Sequence, residues 1–184
     1  MIKPKPTLWS DEDGVIAVYE RHAYQPQTNQ PPLWLQPSVH YYKQLQPDER
    51  IIEAYRQLQT SHRLPVTVLT NITTQYPVYL EHWMDKKEWT QEHMPFLDVS
   101  KQFFAIQIPK CEFARRKLHR PLEPTDILIS DYNNDLIPWQ KAGGTAVKYL
   151  NGLNSQDSFP GPSILTNWNP DAIRDYILSL YPIY

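Results

Sequence analysis

Two carboxylates stand two residues apart in Ser10-Asp11-Glu12-Asp13-Gly14, and two more, Asp131 and Asp135, lie in Ser130-Asp131-Tyr132-Asn133-Asn134-Asp135. Between these segments come Thr70-Asn71, at the end of an apolar run, and Lys110. Carboxylates, a hydroxyl and an ammonium in this combination suit phosphoryl transfer assisted by a divalent metal. Magnesium prefers hard oxygen ligands and keeps several waters, so Asp11 and Asp131, a carbonyl and a substrate phosphate would complete its shell. A carboxylate whose charge is offset by the metal can attack phosphorus and form an aspartyl-phosphate. A second carboxylic acid two residues on can protonate the leaving oxygen and later deprotonate the attacking water. Thr70 and Lys110 can stabilise charge on the transferring phosphoryl oxygens.

These residues meet only if the chain brings them to one edge. Thr7–Ser10, Val66–Leu69, Phe103–Ile108, Asp126–Ser130 and Thr145–Leu150 read as strands. Helices are expected from Asp48 to Pro65, over 78–93 and 113–119, through Ile137 to Gln140, and from Asn169, where an N-cap precedes Pro170. Alternating strands and helices predict an α/β, doubly wound three-layer sandwich with a mostly parallel Rossmann-like sheet. The carboxyl ends of such strands share one edge, where ligands bind. Residues 18–47, rich in proline, read as a small cap inserted after the first strand of a single domain spanning 1–184. Tyr19, Tyr41 and Tyr42 flank or lie in that cap and are candidates to stack on a nucleobase, while Trp34 reads as part of the cap's own core. Lys86-Lys87 reads as a solvated helix face.

Composition sets the outer bounds. The 184 residues are 41% apolar with a formal charge of -2, which allows a real core and argues against a dedicated nucleic-acid binder. Eighteen prolines against five glycines suggest that glycine is kept for places where a Cβ would not fit, Gly14 beside the phosphate among them. A single cysteine, Cys111, excludes an intrachain disulfide. The histidines lack HxxxH spacing, which speaks against a zinc site. No membrane-length apolar run is present, and Met1–Pro6 lacks the apolar core of a signal peptide, so a cytoplasmic enzyme is expected.

Taken in order, the acid pair, Thr70, Lys110 and the last acidic segment resemble the four motifs of the haloacid dehalogenase-like hydrolases. DEDGVIA, LTN, Asp85–Trp89 and DILISD…WQKAGG resemble more closely the branch that contains the 5'(3')-deoxyribonucleotidases. The resemblance implies Asp11 as nucleophile and Asp13 as general acid/base, with Thr70, Asn71 and Lys110 binding phosphate. It also implies a magnesium site built from Asp11, Asp13 and Asp131, with Asp135 nearby. Lys101 is a rival for the lysine role, less well placed than Lys110. Ser130 departs from the branch, whose members commonly carry paired aspartates there. The implied substrate is a small phosphate ester, first a (deoxy)nucleoside monophosphate, with nucleic acid entering only through an end phosphate. A phosphatase of another small ester and a degenerate phosphate-binding protein are the alternatives. Response-regulator receiver domains gather similar residues, but there the phosphorylated aspartate follows the third strand and the lysine comes last. The order here excludes them.

Overall fold

The computed structural model describes residues 6–19, 32–154 and 159–181. Six parallel strands form the central sheet: β1 (Thr7–Ser10), β4 (Val66–Thr70), β5 (Gln102–Phe104), β6 (Asp126–Ser130), β7 (Thr145–Leu150) and β8 (Ser163–Leu165). Their order is β5-β4-β1-β6-β7-β8, so the first strand is central and the chain winds outward in both directions. Leu8 pairs with Val66 on one side and Ile127 on the other. Every residue of β4 and β6 is buried, as expected for parallel strands covered on both faces.

The two-residue period of β1 assigns its side chains to opposite layers. Leu8 packs with Ile51, Tyr55 and Leu58 of α1 (Glu49–Ser61), Trp89 of α2 (Val78–His93), and Ile173 and Ile177 of α5 (Pro170–Ser179). Trp9 packs on the other face with Ala114 of α3 (Lys110–Leu118) and Trp139 of α4 (Asn133–Lys141). Asp48 caps α1 by accepting from the Arg50 amide, and Asn169 caps α5 by accepting from the Ala172 amide. Among the described residues, no helix is long and apolar enough to cross a membrane.

Three departures from the sequence reading have local causes. The strand expected over 103–108 ends at Phe104, because Gln107 adopts a left-handed conformation (φ 58°) that breaks an extended run. Lys110 is therefore the first residue of a helix, α3, rather than part of a loop after a long strand. The sixth strand, β8, has only three residues and follows Pro160-Gly161-Pro162, so no apolar alternation announces it.

The expected cap departs from the sheet through β2 (Ala17–Val18) and returns through β3 (Gln46–Pro47), which pair antiparallel. Of the 18–47 insertion, residues 20–31 lie outside the described residues. Residues 32–45 lie along α2 and are gripped through their backbone. Glu81 accepts from the amides of Ser38 (2.7 Å) and His40 (3.0 Å), and Trp89 Nε1 donates to Leu45 O (2.7 Å). His82 Nε2 meets Trp34 O.

Candidate active site

Asp11 is the first residue beyond β1, and its amide donates to Ile129 O (2.8 Å), extending the β1–β6 pairing into the site. Both of its carboxylate oxygens are held. Oδ1 accepts from the Glu12 amide (2.9 Å), and Oδ2 accepts from Ser130 Oγ (2.9 Å) and pairs with Lys110 Nζ (2.5 Å). Lys110 is buried and also pairs with Asp135 Oδ2 (2.9 Å), in the first turn of α4. Burial opposes its charge, but Asp11 and Asp135 prevail and hold the ammonium well above the usual lysine range. Lys110 at the start of α3, not Lys101, thus reaches the Asp11 carboxylate.

A second ammonium completes the other flank. Lys86 Nζ donates to Asp13 Oδ1 (2.6 Å) and Thr70 Oγ1 (3.0 Å), and lies 3.6 Å from Glu12 Oε2. It also sits 4.0 Å from the centre of the Tyr42 ring, a cation–π contact. The side chain is fully buried, so the solvated Lys86-Lys87 face expected from the sequence fails at Lys86. Only Lys87 faces outward, over the Trp83 ring. The inward face of α2 carries His82, Asp85, Lys86, Trp89 and Thr90, a helical spacing made mostly of polar residues, which a hydrophobicity pattern cannot reveal.

Asp131 follows β6 and enters from the neighbouring strand. Its Oδ2 accepts from Asn151 Nδ2 (2.8 Å) and Asn154 Nδ2 (2.7 Å), while its backbone carbonyl accepts from Lys148 Nζ (2.5 Å). Burial, followed by the charge of Asp11, pushes the Asp131 carboxyl up to about 6. Thr70 is buried at the end of β4, and Asn71 is exposed immediately beyond it. Asp11, Asp13, Thr70, Lys110, Asp131 and Asp135 therefore come to one sheet edge.

The tyrosines divide. Tyr19 is partly buried and lines a cavity of about 220 Å3 beside Gly14, Arg50, Tyr149 and Asn151. Tyr41 and Tyr42 are buried, stacked edge to face with ring centres 5.2 Å apart, and Tyr42 packs on His82 at 4.6 Å. Their faces serve the packing of the insertion. Trp34, 6.2 Å from Tyr41 and 5.8 Å from Tyr19, belongs to the same aromatic group.

No family model matches the chain, and no curated protein matches it. Solved structures do. D,D-heptose 1,7-bisphosphate phosphatase from Burkholderia thailandensis superposes with a TM-score of 0.61 at 14% identity, covering 95% of this chain and 99% of that one. The corresponding phosphatase from B. bronchiseptica, complexed with magnesium and phosphate, gives 0.60 at 17% identity, with coverage of 95% and 99%. A haloacid dehalogenase-like family hydrolase from Streptococcus pneumoniae gives 0.59 at 14% identity, with 94% and 98%. The fold is that of the haloacid dehalogenase-like hydrolases.

Within this haloacid dehalogenase-like fold, the sequence reading missed Glu12, Lys86, Lys148, Asn151 and Asn154, all of which touch the acidic residues or their backbone. Gly14 also has a different reason from the one expected. Its φ is 74°, and a Cβ there would stand 2.7 Å from the Asp131 carboxylate carbon and 2.7 Å from Asn151 Nδ2, so it is Asp131 that excludes a side chain. Gly14→Ala is expected to cost about 1–3 kcal/mol from backbone strain alone. It should also displace Asp131, and the two effects together are read as a lower melting temperature.

Glu12 is buried, and its Oε2 has no hydrogen-bond partner among the described residues. Burial pushes its carboxyl up to about 8, against the pull of Lys86. The folded chain thus keeps a proton that the unfolded chain releases above its ordinary value of 4.5. The resulting stabilisation is complete below that value and is lost as pH rises toward 8. Glu12→Gln removes this slope. Its melting temperature relative to wild type should climb steadily across that window, and a constant difference would refute the account.

Proposed function

We propose that the chain is a magnesium-dependent phosphomonoesterase that works through an aspartyl-phosphate on Asp11. The observation that carries this reading is Asp11 itself: a carboxylate at the end of the central strand, both oxygens held, with Asp131 just past the adjacent strand, the buried Lys110 ammonium paired to it, and the buried Lys86 ammonium on Asp13. Asp11 and Asp131 fit a divalent cation, because each is a hard oxygen donor, and burial followed by the charge of Asp11 raises the Asp131 carboxyl. Asp11 and Asp131 would hold the metal, with Asp13 and Asp135 close by. Bound magnesium would offset the negative charge that Asp11 and the phosphate bring together.

The remaining steps belong to the chain. Asp11 attacks phosphorus as the ester P–O bond breaks, so the phosphoryl group passes to a carboxylate oxygen. Lys110 and Ser130 keep that carboxylate from rotating. Asp13 gives its proton to the departing alkoxide, then takes one from the water that cleaves the acyl-phosphate. Burial pushes the Asp13 carboxyl up, against the pull of Lys86, which suits a group that must carry a proton. Thr70, Asn71 and Lys110 bind the phosphoryl oxygens. Alanine at Thr70 should raise KM for phosphate esters several-fold in steady-state kinetics, with less effect on folding than any change at Lys86.

The substrate is a small phosphate ester. A (deoxy)nucleoside monophosphate is the member of that class favoured by the sequence motifs, although Tyr19, at the cavity wall, already packs against Trp34 and Tyr41. A sugar phosphate is the second reading, supported by the burial of Tyr41 and Tyr42. The heptose bisphosphate phosphatases that share the fold point the same way. A panel of nucleotides and sugar phosphates, assayed with magnesium and again after chelation, decides between them. Turnover should disappear on chelation and return with magnesium. Absence of turnover on every ester would refute the proposal.

A further inference from the structure

We propose that His40, Glu81 and Asp85 form a binding site for a divalent cation of the zinc class that fastens the insertion to α2. This site is separate from the strand-edge carboxylates and does not depend on the reaction assigned to them. One ligand atom from each residue lies within 4.8 Å of the others. Glu81 and Asp85 are four residues apart and share a face of α2, while His40 is brought in from the insertion. The His40 backbone is left-handed (φ 51°), and its amide donates to Glu81 Oε1, which fixes where the imidazole points.

A simple loop clamp explains part of this cluster. Glu81 uses both oxygens on the Ser38 and His40 amides, and Asp85 Oδ1 meets His40 Nδ1 at 2.9 Å. The clamp leaves Asp85 Oδ2 unexplained. The Asp85 side chain is only 3% exposed, and this oxygen is buried with no hydrogen-bond partner among the described residues. A buried carboxylate oxygen without a partner is costly, and a cation would satisfy it. One imidazole nitrogen with two carboxylate oxygens suits zinc better than magnesium, which seeks oxygen throughout. The His40 side chain is 56% exposed, which leaves room for water in the fourth position. The site escapes motif reading because its histidine lies 41 and 45 residues from the carboxylates.

Titration calorimetry of the chelator-stripped full chain with Zn2+, in buffer containing excess Mg2+, tests the site. One equivalent should bind, and His40→Gln and Asp85→Asn should each weaken binding by about tenfold or more. Unchanged zinc affinity in both variants overturns the proposal. So does loss of binding in Asp131→Asn with retention in His40→Gln, which would place the cation at the strand edge. If the variants fail to fold, Co2+ added to the wild type provides the reading by NMR. Paramagnetic shifts of the His40 ring support the site, and a His40 ring unmoved by Co2+ overturns it.

Discussion

Asp11→Asn should abolish turnover, by about 10^4-fold or more in kcat, while leaving the chain folded. The substitution keeps size and shape, so the amide oxygen can still accept from Ser130 or Lys110, but it removes the carboxylate that the proposed mechanism uses as nucleophile. It also removes one of two negative charges facing Lys110, and Asp135 remains to pair with that ammonium at 2.9 Å. The decisive measurement pairs initial rates on the best ester with a thermal melt of the same preparation. A folded Asp11→Asn with wild-type turnover would end the aspartyl-phosphate mechanism. A variant that unfolds would be replaced by rapid quench of the wild type with labelled ester, where acid-stable label on Asp13 or no protein-bound label at all would have the same force.

Lys86→Met is expected to be the most damaging single change to stability. Methionine keeps much of the stem's volume but deletes the ammonium, leaving Asp13 and Glu12 without their nearest cation and Thr70 without its donor. Removing one partner of a buried ion pair costs about 3–5 kcal/mol. For a chain of this length that lowers the melting temperature by roughly 6–20 °C. Lys87→Met, one residue away and over the Trp83 ring, should stay within about 0.5 kcal/mol. Adding Glu12→Gln to Lys86→Met should restore little of the loss near neutral pH, because Glu12 already keeps its proton there and the uncompensated charge is that of Asp13. Equal effects at Lys86 and Lys87 in chemical denaturation would contradict the buried network.

The contrast between these two lysines shows where a sequence is readable. Val66–Thr70 and Asp126–Ser130 announce themselves because strands buried on both faces are rich in apolar residues, and each gives way to polar residues where the site begins, while Thr145–Leu150 carries Lys148 inside an otherwise mostly apolar run. The acid pair, Thr70 and Asp131 are legible because strand ends share an edge, so position along the chain converts to position in space, whereas Lys110, expected just past a strand, arrives instead at the start of α3. Lys86, Asn151 and Asn154 reach the site from a helix and from loops after β7, where no such conversion exists. A buried lysine in a polar stripe has the composition of a solvated one. Tyr41 and Tyr42 mislead for the opposite reason: aromatic rings near a site look the same in sequence whether they face a ligand or one another.

The grip of α2 on residues 34–45 bears on how the protein can change over evolutionary time. Glu81, His82 and Trp89 hold Ser38, His40, Trp34 and Leu45 through main-chain amides and carbonyls, atoms that every residue type but proline at the amides supplies. Exposed side chains along this stretch can therefore be exchanged without loosening that main-chain grip, whereas Tyr42, whose ring packs on His82 and under the Lys86 ammonium, cannot. The exposed positions of the insertion are thus free to vary, while any change at Tyr42 is felt by Lys86 and, through it, by Asp13.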